Sequence, residues 1–146
     1  MIISTRTRYG ARLMLQLALE YGNGYCLLKD IAKKEDISEK YLSLIVMPLK
    51  AKGLLVSGRG AKGGYMLAKK PSLISMRDII VALESEMPAD YLSKKVVRPS
   101  DSISAVTRDV WRLLDEKIQE VLGAINLEEL VEKYKIGKNA ALNYEI

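Results

Sequence analysis

The sequence predicts a mostly helical fold with one small β-hairpin, and three stretches carry that prediction. Residues 37–53 (ISEKYLSLIVMPLKAKG) are amphipathic, with Leu42, Ile45, Val46 and Leu49 on one stripe of a 3.6-residue period. The next stretch, LLVSGRGAKGGYMLA, sets two short apolar runs around a loop rich in glycine and cations. Further on, Ile103, Val106, Val110, Leu113 and Leu114 recur at three- and four-residue steps, continued by Ile118, Val121 and Leu122. A helix followed at once by a basic-tipped hairpin is the layout of a winged helix-turn-helix. The third stretch adds a long helix whose stripe is longer than a small winged domain needs, so a partner helix is expected to cover it.

Taken in order, residues 5–22 read as a first helix with Tyr9, Leu13, Leu17 and Glu20 or Tyr21 on one face, ended by Gly22-Asn23-Gly24. Arg6, Arg8 and Arg12 crowd its first turns, where the positive end of the macrodipole disfavours cations and a nearby phosphate would offset that cost. Residues 27–35 form a short second helix with Leu28, Ile31 and Ala32 inward. The Asp36-Ile37 turn separates it from the helix opened by Ser38 as N-cap and closed at Gly53. In such a pair the second helix enters the major groove of DNA. Pro48 lies inside it, removes one backbone donor and is expected to loosen its last turn.

Ser75-Met-Arg-Asp78 starts a helix of about ten residues in the manner of a capping box. Residues 86–100, with two prolines and mixed charge, read as a loop. A helix from Asp101 to Leu122 would be ~33 Å long at 1.5 Å per residue. Gly123 and Asn126 bracket a break, LEELVEKY forms a short docking helix, and residues 135–146 read as a loosely held tail. The division is thus 1–85 for the winged domain, 86–100 for the loop, 101–134 for dimerisation and docking, and 135–146 for the tail.

The net charge of +5 is unevenly spread: residues 1–70 hold 13 Lys/Arg against 5 Asp/Glu, and residues 71–146 hold 10 against 13. A basic first half beside a mildly acidic second half fits a polyanion-binding module on a scaffold that does not touch the polyanion. With no histidine and a single cysteine, zinc sites, Ser-His-Asp triads, Cys-His dyads and intrachain disulfides are excluded, and no enzyme is expected. Gln16, Glu20 and Lys50 interrupt the apolar runs, so neither a membrane span nor a cleavable leader is expected, and the cytoplasm is the expected compartment. Gly58-Arg59-Gly60-Ala61-Lys62-Gly63 formally matches the dinucleotide fingerprint. That fingerprint needs a helix after its glycines, and a strand-like GYMLA follows instead.

The candidate DNA contacts are Thr5, Arg6 and Arg8 on the first helix, Ser38, Glu39, Lys40, Tyr41 and Ser43 on the recognition helix, and Arg59 and Lys62 on the wing. Lys40 and Tyr41 are also suited to phosphates. The candidate dimerisation residues are Ile103, Val106, Val110, Leu113, Leu114, Ile118 and Val121. Cys26 has two readings, a small buried hydrophobe or a redox-sensing thiol made more acidic by the positive end of the second helix. The competing function is a winged-helix adaptor that binds another protein through the same helix; Arg59 and Lys62 with the basic first helix suit phosphates better.

These motifs together resemble the BadM/Rrf-two family of winged-helix transcription regulators. The resemblance rests on Ser4-Thr5 with Arg8-Tyr9-Gly10, on Ile37-Ser38-Glu39-Lys40-Tyr41-Leu42, on Arg59-Gly60-Ala61-Lys62-Gly63-Gly64-Tyr65, and on Asp78-Ile79-Ile80, Trp111 and Leu127-Glu128-Glu129-Leu130. It implies a homodimer whose long helices cross, reading a palindrome in double-stranded DNA, with repression the expected sense. One branch of the family holds an iron–sulfur cluster through three cysteines and often a histidine. Residues 86–110 here contain neither, and Arg108 stands where that histidine would be expected, so the resemblance is to the cluster-free branch typified by the cysteine-metabolism repressor. No metal or cofactor is expected, and control would fall to a small-molecule effector, a metabolic enzyme as partner, or Cys26.

Overall fold

The computed structural model describes residues 3–61, 63–84 and 102–144. The chain order is α1 (Thr5–Leu19), α2 (Leu28–Glu35), α3 (Glu39–Ala51), β1 (Leu55–Gly58), β2 (Gly64–Leu67), a 3-10 turn at Pro71–Leu73, α4 (Met76–Leu83), α5 (Ile103–Ala124) and α6 (Leu127–Tyr144). Helix α1 runs through the middle, packed against α2, α3, α4, β2 and α6. Its buried residues are Thr7, Gly10, Leu13, Met14, Leu17 and Ala18, one broad face that keeps the expected Leu13, Leu17 and Ala18 and turns toward Met14 rather than Tyr21. It ends at Leu19 with Glu20 as C-cap, three residues before the expected end; Gly22 and Gly24 then turn the chain at positive φ.

The helix-turn-helix forms as its residues dictate. Asp36 takes a left-handed conformation (φ 52°), one that Asp tolerates better than most residues, and the Ile37 amide donates back to the Ala32 carbonyl at 3.0 Å. Ser38 caps α3 by accepting from the Tyr41 amide at 3.1 Å. The predicted stripe of Leu42, Ile45, Val46 and Leu49 is the buried face. Helix α3 continues for three residues past Pro48, whose carbonyl still accepts from the Lys52 amide at 3.0 Å.

Strands β1 and β2 pair antiparallel in the register Leu55↔Leu67 to Gly58↔Gly64. A third segment joins them: Cys26 and Tyr65 exchange both backbone hydrogen bonds, at 2.8 and 2.9 Å. That close approach needs Gly64, which sits at φ +136°; a Cβ there would stand 2.2 Å from the Cys26 carbonyl oxygen.

After the wing, the capping box at Ser75 and Asp78 is complete. The Met76 amide donates to the Ile125 carbonyl at 2.8 Å and the Leu127 amide to the Ile74 carbonyl at 3.0 Å, pinning the junction of α5 and α6 to the start of α4. Leu127 is fully buried in the core. Helix α6 does not stop at Tyr134; it runs to Tyr144, where a loose tail was expected. The extension KIGKNAALNY carries no proline and a single glycine, and its alanines and lysines favour helix without any buried face. The 86–100 stretch read as a loop lies outside the described residues. Among the described residues, no helix is long and apolar enough to cross a membrane.

Glu84, the C-cap of α4, accepts hydrogen bonds from the hydroxyls of Ser4 and Thr7, closing α4 onto the start of α1 across some eighty residues of sequence. Burial pushes its carboxyl pKa up, but those hydrogen bonds and the nearby Arg6 charge outweigh burial and hold it below the ordinary glutamate value.

Two outcomes test this frame. Gly64→Ala should cost on the order of 3 kcal/mol in a urea melt, because strain and a clash with backbone combine. Gly53→Ala, at φ +71° with open space around it, should cost only about 1 kcal/mol; equal losses would deny the close wing contact. A group with a lowered folded-state pKa stabilises above its unfolded pKa and loses that contribution as pH falls through the folded value. Glu84→Gln should therefore be less stable than wild type at neutral pH, and the gap should close on acidification below the ordinary carboxylate range.

Candidate nucleic-acid interface

Opposite its buried stripe, α3 exposes Glu39, Lys40, Ser43, Leu44, Met47 and Lys50, which recur at three- and four-residue steps along one face. From Lys40 to Arg77 the chain contains eight Lys/Arg and no Asp or Glu, so the recognition helix beyond its first turn and the whole wing carry positive charge only. Such a surface suits phosphate.

The expected contacts divide by what already engages them. Arg59 is exposed at the wing tip, and among the described residues nothing hydrogen-bonds or ion-pairs with it. Lys40 is exposed in the same sense on α3. Ser38 accepts the Tyr41 amide in the α3 cap and keeps its own O–H as a donor, and the Ser43 hydroxyl donates back to the Glu39 carbonyl at 2.9 Å, which leaves its oxygen able to accept. Tyr41 is half-buried, its ring edge-on to Tyr9 at 5.6 Å and 87°. On α1, Thr5 accepts from the Arg8 guanidinium at 3.0 Å, and both are exposed. Arg6 is half-buried and lines an open groove of about 490 Å³ with Tyr41, Leu44, Ile45, Met47 and Pro48. The fold thus brings the start of α1 against the outward face of α3, as a shared interface requires. Lys62 lies outside the described residues.

Arg12, the third cation near the start of α1 and not among the candidate contacts, is engaged within the domain. Its guanidinium donates to the Glu35 carboxylate at 2.8 Å and stacks over Tyr9, 5.4 Å from the ring centre, while Gln16 holds the other Glu35 oxygen at 2.5 Å. Arg12 is a clamp between α1 and α2. Lys50 is likewise engaged, donating to Ser57 at 2.7 Å and tying α3 to β1.

The acidified thiol is also corrected. Burial pushes the Cys26 thiol above its ordinary pKa and the Glu20 carboxylate pushes it the same way; Lys34 opposes them, and Asp30 adds the least. Cys26 lines a cleft of about 580 Å³ with those three residues, Tyr25, and Ala61 and Gly63 of the wing. Reading the sequence missed Leu44 and Met47 as surface residues and Glu84 as the support beneath Ser4 and Thr7. The first two had a legible signal, since they fall off the buried stripe; Glu84 had none.

On α5, Ile103, Val106, Val110, Leu113, Leu114 and Val121 are each more than half exposed, whereas Ile118 is half-buried. Ala105 is the one buried residue of the helix, whose main packing within the chain is against α4.

Comparison with known proteins agrees with this architecture. The family model Rrf2, described as an iron-dependent transcriptional regulator, matches residues 3–133. The HTH-type transcriptional regulator CymR of Bacillus subtilis is 37% identical over 147 residues, covering 100% of both chains. The solved structure of that global cysteine regulator superposes with a TM-score of 0.76 over 91% of this chain and 98% of its own. T. potens IscR, at 35% identity, gives a TM-score of 0.76 over 92% of this chain and 88% of its own. The oxidized form of Staphylococcus aureus CymR, at 37% identity, gives 0.72 over 90% and 97%. With the helix-turn-helix, the hairpin wing and the cationic face in place, the chain belongs to the Rrf2 family of winged-helix, DNA-binding transcription regulators and is not an enzyme.

Proposed function

We propose that this chain is a homodimeric cytoplasmic repressor that reads an approximately palindromic operator through α3 and the wing and carries no iron–sulfur cluster. The observation that carries the dimer is α5: 22 residues of helix with Ala105 as its buried residue and a stripe of six large apolar side chains in water. A contiguous apolar face of this length is unusual on a monomer. Pairing it with the same helix of a second copy buries it isologously and relates the two recognition helices by a two-fold axis, which a palindrome mirrors. The run of 38 residues with cations and no acids favours duplex DNA over a protein adaptor's partner.

The family is described as iron-dependent, but the donor set does not fit the iron–sulfur cluster that one of its branches holds. Thiolates hold such clusters, and this sequence has one cysteine, no histidine, and neither between residues 86 and 110. Control then falls to a small-molecule effector or a protein partner such as a metabolic enzyme.

Once an operator has been selected from random duplex, Arg59→Ala should weaken its binding by ~1–3 kcal/mol if the guanidinium reads a guanine. Unchanged affinity would remove the wing from the interface. Val110→Glu combined with Leu114→Glu should sediment as a folded monomer that binds the full operator poorly. A double variant that stays dimeric, or a wild type that binds a half-site as tightly as the palindrome, would refute the architecture.

A further inference from the structure

We propose that Leu44 and Met47 read the C5-methyl groups of thymine in the major groove, so that part of this protein's sequence specificity is a methyl preference written on α3. The inference rests on the DNA-binding reading and goes beyond it by naming the chemistry read. Leu44 is 55% exposed and Met47 66%, although Ile45 and Val46 between them are buried. Lys40, Leu44 and Met47 follow one another at steps of four and three, so the two apolar side chains share a helix face with a cation suited to phosphate. Together with Arg6, Tyr41 and Pro48 they line the open groove between α1 and α3.

The occupant follows from the surroundings. An apolar groove meant for a hydrophobic peptide does not need Arg6 in its lining, Lys40 on the same helix face, or a helix and wing without a carboxylate from Lys40 to Arg77. A base edge meets both requirements: phosphates on either side take the cations, and thymine is the base that presents an apolar group in the major groove. Side chains that cannot hydrogen-bond discriminate there by burying that methyl group, and the flexible Met47 can follow its position.

The test replaces each thymine of a selected operator, one at a time, by deoxyuridine, which removes the methyl and leaves every hydrogen-bonding group in place. Binding of the full-length protein is then measured. Wild type should lose about fourfold in affinity for each methyl it buries. Leu44→Ala and Met47→Ala should each bind thymine and uracil operators equally at the position that side chain covers, with unchanged melting, and should keep the losses elsewhere. Wild type indifferent to every replacement would overturn the proposal, as would variants that keep the full discrimination. Failure of the selection to enrich any sequence would overturn the DNA-binding reading as well, which distinguishes the two failures.

Discussion

Burial of α1 is the constraint on which the rest of this molecule depends. Leu13, Met14 and Leu17 lie at the meeting point of helices from both halves of the chain, so the recognition unit and the C-terminal helix fold onto one shared rod. Gly10 permits the closest of these contacts: a Cβ there would stand 2.1 Å from the end of the Leu83 side chain. Helix α4 therefore rests directly on the α1 backbone, and its C-cap Glu84 reaches the hydroxyls at the start of α1. The N-terminal turn carrying Arg6 and Arg8 is thus built on the most buried element of the fold and held by a carboxylate. Contact groups on such a support are positioned more sharply than groups on a free terminus.

The cations divide into two kinds that composition does not distinguish. Arg12 and Lys50 are spent inside the domain, one clamping α2 through Glu35 and the other joining α3 to the wing through Ser57. Arg59 and Lys40 remain open to a ligand. Exposed ion pairs add little to stability, but a guanidinium that holds a carboxylate and a backbone carbonyl while stacked on an aromatic ring fixes geometry, and here it sets how α2 meets α1. The wing follows a related economy. Its glycines allow the Cys26 segment and the Tyr25 ring to close on the hairpin, so that Arg59 projects from a braced turn rather than a free loop.

The two apolar faces on the surface differ in kind. The stripe on α5 is long and exposed along most of the helix, and it suits another helix of the same length. The pair on α3 is small, lies beside Arg6 and shares its helix face with Lys40, and it suits a small apolar group on a polyanion. Both leave large side chains in water in the isolated chain, a cost that natural sequences keep where a partner recovers it.

Local rules determined much of this protein before any coordinates. The stripe of α3, the Ser38 and Ser75 caps, the hairpin and the long apolar repeat are short-range patterns, and each is where periodicity and turn chemistry put it. The family was legible for the same reason, since its motifs lie on those elements. Tertiary structure alone decided what depends on groups distant in sequence or on the length of a helix with no buried face. Glu84 meeting Ser4 and Thr7, Glu35 capturing Arg12, and the bridge from Cys26 to Tyr65 join residues that no local pattern connects. The Cys26 thiol illustrates the difference: a helix start alone would make it more acidic, but the burial and carboxylates assembled by the fold make it less so. Helix α6 reached Tyr144 on propensity, without the apolar stripe that sequence reading relies on.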